Sequence, residues 1–187
     1  MTPRLGDAEG ADMDLEGRMI VRRAEPSDSV AIAEVRVASW RSAYRGLLPD
    51  SLLDALSVHD IASRWKARIE KGRIRVFVCQ TETGVVGFVA IGPTRDEGMD
   101  DERVGEVCAI YVRPEGWRKG YGSALLCRAI ESLREQGRAE VTLWVLRDNE
   151  RGTRFYEARG FEADGATKVE TRDDGVQLHE IRYRRSI

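Results

Sequence analysis

The residues with the most chemistry to offer lie between Arg113 and Leu126, in the run Arg-Pro-Glu-Gly-Trp-Arg-Lys-Gly-Tyr-Gly-Ser-Ala-Leu-Leu. Gly120 and Gly122 permit a sharp turn and a close backbone approach to a ligand. The N–H groups that open a helix have no partner inside it, and with the helix dipole they attract an anion. Arg118 and Lys119 add positive charge at that spot, so the chemistry offered is the binding of a pyrophosphate. The same residues also suit a plain strand-to-helix turn with two surface cations. Two familiar phosphate loops do not fit. A dinucleotide fingerprint needs a third glycine where the chain has Leu125, and a nucleotide P-loop needs Gly-Lys-Ser/Thr, whereas Lys119 precedes its glycine and Tyr121 follows it. A second stretch, Leu143 to Phe161, sets Asn149 in a polar loop and Phe155 and Tyr156 side by side on a helix. Core packing accounts for Phe155; Tyr156 points about 100° away from it and need not share its burial.

These groups require a strand, a turn and a helix in that order. Val107, Ala109, Ile110, Tyr111 and Val112 form a short apolar run of the kind an interior strand shows, and Pro114, with no N–H, ends it. Leu125, Leu126, Ala129, Ile130 and Leu133 then recur at helical spacing, with Gly137 at the C-terminal end. Upstream, Ile20–Ala24 reads as a first strand. Pro26-Ser27-Asp28 opens a helix striped by Ala33, Val37, Trp40 and Tyr44 and ended by Gly46. Asp50 is placed to cap a short helix through Leu56, and Ser57 to cap another carrying Ile61, Trp65 and Ile69. Ile74–Gln80 and Val85–Ile91 form a hairpin closed by Gly92-Pro93. Val104–Val112 and Glu140–Val145 are further strands, and Asn149 starts a short helix. Phe161–Lys168 and Val176–Arg184 pair across Asp173-Asp174-Gly175. The order β-α-α-β-β-β-α-β-α-β-β predicts an α/β (α+β) fold, a mixed sheet with helices on both faces.

With 187 residues, 42% of them hydrophobic, the chain suits one domain with a full core. Thirty basic against 32 acidic residues provide no global field for nucleic acid, and no apolar run approaches the roughly 20 residues of a membrane span. Residues 1–18 read as a flexible acidic tail, or an extension upstream of a start at Met19, before a domain spanning 19–187. Cys79, Cys108 and Cys127 are odd in number and far apart, as reduced core cysteines of a cytoplasmic protein are. Two histidines and no Cys-x-x-Cys argue against a metal site.

The sequence Val112-Arg113-Pro114, then Trp117-Arg118-Lys119-Gly120-Tyr121-Gly122 and a helix, resembles the acetyl-CoA-binding motif of the GCN5-related N-acetyltransferase (GNAT) superfamily. Trp117 departs from the Gln/Arg of its first position. Asn149, Phe155, Tyr156, Gly160 and Phe161 match a second family pattern. The resemblance runs from about Ile20 to Arg184 and implies a mostly antiparallel GNAT-like sheet. It also implies that acetyl-CoA is the co-substrate, held by Ile110, Tyr111, Val112, Arg118, Lys119, Gly120, Tyr121, Gly122, Ser123, Asn149 and Tyr156. Two parallel strands would part to present the main chain of Ile110 and Val112 to pantetheine and the acetyl carbonyl. The Tyr156 hydroxyl would lie near the CoA sulfur. A thiol near 8.5 and a phenol near 10 make it a workable acid for the departing thiolate; the alternatives are positioning the thiol and plain packing.

The implied reaction is direct acetyl transfer to a primary amine, on a small molecule or amino acid rather than a protein. Glu106 is the foremost base, sharing a sheet face with residues 108, 110 and 112 if no bulge intervenes; its other reading is a solvated strand-end charge. His179 and Glu180 rank lower, Glu180 being a candidate partner of Arg182. Asp96, Glu97, Asp100, Asp101 and Glu102 would attract a cationic amine, whereas Arg41 and Arg45 would hold a carboxylate. Trp40 and Tyr44 suit either a pocket wall or the core. A covalent acyl carrier at Cys108 or Cys127 lacks an adjacent base. Rival readings are a non-catalytic acyl-CoA-sensing module and an oligomeric scaffold that binds no ligand. The family also implies a homodimer through an exposed C-terminal strand.

Overall fold

The computed structural model describes residues 19–172 and 175–187. The acidic segment 1–18 and the Asp173-Asp174 part of the expected last turn lie outside the described residues. Strands β1 (Ile20–Arg23), β2 (Arg75–Thr81), β3 (Gly84–Pro93), β4 (Val104–Val112), β5 (Glu140–Leu146), β6 (Glu162–Thr171) and β7 (Gln177–Ser186) form one sheet in the order β1-β2-β3-β4-β5-β7-β6. Only β4 and β5 are parallel; the other neighbours are antiparallel. Helices α1 (Ser29–Ala43), α2 (Asp50–Asp54) and α3 (Val58–Lys71) follow β1, α4 (Tyr121–Glu135) follows β4, and α5 (Glu150–Glu157) follows β5. The final strand β7 is internal, so the exposed edge beside it is β6; a dimer made through that edge would use β6 rather than the C-terminal strand.

The apolar stripes find the two faces of the sheet. Leu125, Leu126, Ala129, Ile130 and Leu133 of α4 are buried with Val107, Val112 and Leu143 on one side. Ile32, Ala33, Val35 and Val37 of α1 and Ile61 and Trp65 of α3 cover Val76, Val78, Phe88 and Ala90 on the other. Trp40 and Tyr44 join Leu52, Leu53 and Leu178 in a third cluster, their rings edge to face at 5.1 Å. Ser57 caps α3 as its type suggests, accepting from the Asp60 N–H at 3.2 Å. Asp50 does not cap α2; it is the first helical residue, and Pro49 precedes it. Gly92-Pro93 lies within the end of β3 instead of closing the hairpin.

Gly105 marks how tightly α4 is seated. A Cβ there would overlap the Leu133 Cδ2 and lie 3.0 Å from Cδ1, in a side chain with no exposed surface. Gly105→Ala is therefore expected to destabilise the fold by about 1–3 kcal/mol. The check is a urea midpoint that falls at constant m-value, together with a sub-additive Gly105→Ala/Leu133→Ala double variant, because Leu133 is the side chain in the way.

Candidate active site

The parallel pairing of β4 and β5 holds only from Val104↔Glu140 to Val107↔Leu143. Beyond it the strands part, and Cys108–Val112 of β4 and Trp144–Leu146 of β5 line opposite sides of a cavity of about 1280 Å³. The parting coincides with a bulge. Ala109 pairs with Ala90 but Val107 with Ile91, which leaves Cys108 as the extra residue. The bulge inverts the alternation of side chains. Val107, Ile110 and Val112 pack on the α4 side, and Ala109 and Tyr111 on the α1/α3 side. Glu106, next to Val107, therefore shares the face of Ala109 and Tyr111, not that of Ile110 and Val112 as an unbulged strand would have it.

At the turn, Gly120 precedes α4 with φ +86° and Arg118 has φ +64°. The Ala124 N–H is the first to bond back into the helix, to the Gly120 carbonyl at 3.0 Å, so the N–H groups of Tyr121, Gly122 and Ser123 have no acceptor within it. Space around Gly120 is open, whereas a Cβ on Gly122 would lie 3.2 Å from the Phe155 ring; Gly122 also serves the contact of α4 with α5. Trp117 has a structural role here. Its indole N–H donates to the Val112 carbonyl at 2.9 Å, and the Arg151 guanidinium lies 3.5 Å over its ring. The turn is thereby tied to the end of β4 and to the start of α5.

Of the expected donor-binding residues, Ile110, Tyr111, Val112, Arg118, Gly120, Gly122, Asn149 and Tyr156 line this one cavity. Lys119 is exposed on the turn. Tyr121 packs into the α4-side core, and the Ser123 hydroxyl is engaged by the Arg159 guanidinium. Asn149 caps α5, accepting from the Gly152 N–H at 3.1 Å. Tyr156 stands among Phe155, Phe161 and Tyr183, with ring centroids at 5.3, 5.9 and 6.5 Å. Burial pushes its phenol well above the ordinary range, and the nearby Tyr111 adds to the shift. Tyr44 is raised by burial too, then by Tyr111, Tyr156 and Glu180, so three phenols and a carboxylate are close neighbours.

Glu106 lines the cavity but is 1% exposed, not a solvated strand-end charge. Its two oxygens accept from the Arg95 backbone N–H at 3.0 Å and from the Arg95 guanidinium. Glu180, also on the wall, pairs with Lys168 at 3.3 Å and not with Arg182, which binds Asp96 and Asp164. Burial raises the Glu180 carboxyl, opposed by Lys168. Cys108 is half-buried and pushed up to about 11, first by burial and then by Glu106, so at neutral pH it is a thiol and a poor nucleophile. Cys127 is exposed on α4, not a core residue.

Trp40 and Tyr44 line the cavity as well as the core, but neither charged clue to the acceptor lies on this wall. Asp96 is spent on Arg182 and the Trp144 indole. Arg41 donates to the carbonyls of Leu53, Asp54 and Leu56, and Arg45 pairs with Asp50 and Asp54. Among the arginines that line the cavity instead are Arg36, Arg64, Arg68 and Arg95. In sequence, Arg64 and Arg68 look like the solvated face of α3; their position beside Ile61 and Trp65, at helical spacing, was the available signal.

Among the described residues no group of three His, Cys, Asp or Glu side chains is placed to hold a metal, and no helix is long and apolar enough to cross a membrane. The chain is 38% identical over 164 residues to the uncharacterized N-acetyltransferase YuaI of Bacillus subtilis strain 168, covering 86% of this chain and 89% of that one. Its fold matches that of PaiA N-acetyltransferase from Thermoplasma acidophilum, solved in complex with coenzyme A (TM-score 0.70, 22% identity, 91% of this chain and 99% of that one). It also matches YncA from Salmonella typhimurium, solved with acetyl-CoA (TM-score 0.64, 21% identity, 90% and 93%). The Acetyltransferase (GNAT) family model matches residues 36–161, and the chain belongs to that family.

Proposed function

We propose that the protein transfers the acetyl group of acetyl-CoA directly to the primary amine of a small acceptor. One observation carries the reading: the parted β4–β5 edge, the open N-terminus of α4 and the Tyr156 side chain meet in a single cavity. The solved relatives that hold coenzyme A or acetyl-CoA support the choice of donor. The N–H groups of Tyr121, Gly122 and Ser123, with Arg118 beside them, would receive the pyrophosphate. The main chain of Ile110 and Val112 would run along the pantetheine, and a β4 N–H would hold the carbonyl oxygen as charge develops on it.

The amine forms a C–N bond to the acetyl carbon, and the C–S bond breaks. The amine gives up a proton to a carboxylate, and Tyr156 protonates the sulfur. Of the four glutamates that line the cavity among the described residues, Glu150 and Glu170 are exposed, which leaves Glu106 and Glu180 as the sheltered candidates. Glu180 is the better base, since burial raises its proton affinity, it neighbours the phenol cluster and it meets Lys168 through one oxygen at 3.3 Å, whereas both oxygens of Glu106 are clamped by Arg95. Glu106 remains the alternative, reached through water. A raised carboxyl is ionised only above its own pKa, so with Glu180 as base the acidic limb of kcat/KM lies above the ordinary carboxylate range and disappears in Glu180→Gln. An odd number of cysteines, three and far apart in the sequence, suits a reducing, cytoplasmic setting.

The test is calorimetric titration with acetyl-CoA, with desulfo-CoA and ATP as controls, followed by thiol release over a panel of amines. Saturable binding and amine-dependent release are expected. Absence of binding at millimolar acetyl-CoA overturns the reading, and binding without release under any amine leaves the non-catalytic sensing module in its place.

A further inference from the structure

The wall of the cavity built by α1 and α3 carries positive charge that donor binding does not use. Arg36 of α1 and Arg64 and Arg68 of α3 line it, and among the described residues none of the three forms an ion pair. Arg95 reaches the same wall but is committed to Glu106. On the far side Glu180 is taken by Lys168, and Glu170 is exposed. The wall is also rich in donors and poor in acceptors. The Nε of Arg36 and the indole Nε1 of Trp65 are buried with no acceptor from the chain, and Trp65 as a whole is only 2% exposed.

Two of the guanidinium groups are held in place by aromatic faces. Arg36 lies 5.1 Å from the Trp40 ring and Arg68 lies 5.2 Å from the Trp65 ring. Burial, then the neighbouring Arg36 and Arg95, hold Arg68 below the usual guanidinium range, the direction expected of like charges gathered without a counter-ion. A half-enclosed wall of this kind is complementary to an anion, and fixed guanidinium forks match a carboxylate in particular. It is the wrong sign for a polyamine.

We propose that this wall is a subsite for the acceptor's anionic group, and that the acceptor is a small amine bearing a carboxylate, of the amino acid class, with Arg36 and Arg68 as its forks. The inference rests on the acetyltransferase reading.

The experiment compares matched amines in the thiol-release assay: phenylalanine against phenethylamine, lysine against cadaverine, and spermidine alone. The carboxylated member of each pair is expected to have the higher kcat/KM, by about 30-fold for a charge-assisted bidentate contact, mostly through KM. Arg36→Gln and Arg68→Gln should each collapse that ratio toward one, and Arg68→Lys should recover part of it. Acetyl-CoA affinity, measured by calorimetry on every variant, reports that the fold and the donor site persist. Ratios near or below one in the unaltered protein, or spermidine as the best substrate, overturn the subsite while the acetyltransferase reading stands. Failure to bind acetyl-CoA overturns both.

Discussion

Tyr156→Phe is expected to lower kcat for acetyl transfer by about two orders of magnitude and to leave the affinity for acetyl-CoA within a few-fold. The substitution removes one oxygen and keeps the ring, so the contacts with Phe155, Phe161 and Tyr183 survive and the thermal midpoint should hardly move. In the proposed mechanism, what is lost is the proton for the departing sulfur. In water a phenol near 10 is a weak acid toward a thiolate near 8.5. Here burial pushes the phenol up, which keeps the acid loaded throughout the working pH range. Rapid-quench or burst measurements on Tyr156→Phe separate this from slow product release. An unchanged kcat would assign the ring to packing and move the acid to another phenol of the cluster, Tyr111 or Tyr44.

Gly120→Asp is expected to weaken acetyl-CoA binding by at least about 100-fold, with a much smaller effect on stability. Aspartate is ordinarily welcome before a helix, where its carboxylate accepts from free N–H groups. At Gly120 that preference works against the ligand, because the new carboxylate would occupy the N–H groups meant for the pyrophosphate and repel its charge. The φ of +86° adds a conformational cost of about 1–2 kcal/mol for any L-residue. Gly120→Ala isolates that second effect, since a Cβ there meets nothing within 4 Å of the chain. Calorimetric affinity and a urea midpoint on both variants separate ligand repulsion from backbone strain. Equal affinity in all three proteins would mean that the turn does not receive the phosphates.

Much of this architecture was legible in the chain because it is local. Apolar spacing located the strands and helices, Ser57 announced its cap, and the glycines of the turn announced the open end of α4. What the sequence hid depends on distant contacts. The bulge at Cys108 arises from pairing with β3, and it moves Glu106 to the other face without any change of residue type. Burial of Glu106 follows from Arg95, eleven positions away on a loop. The arginine wall joins residues from α1, α3 and the β3–β4 loop, each of which reads alone as a solvated cation. The order β5-β7-β6, which puts the last strand inside, rests on the pairing of β7 with β5 from Glu140 to Leu146, a distant contact that no local pattern announces.

The parted strands also divide the cavity by ancestry along the chain. In the proposed reading the donor half is drawn from one continuous stretch, β4 through α5, while the acceptor half is borrowed from α1 and α3 before it and β6 and β7 after it. A change in Arg36, Arg64 or Arg68 touches no part of the phosphate turn, and a change in the turn touches no part of the arginine wall. On the proposed reading, a new amine is most simply accommodated by changes on α3, because α1 is tied to the turn through Glu34 and Arg113 and carries at its end Tyr44, a neighbour of Tyr156.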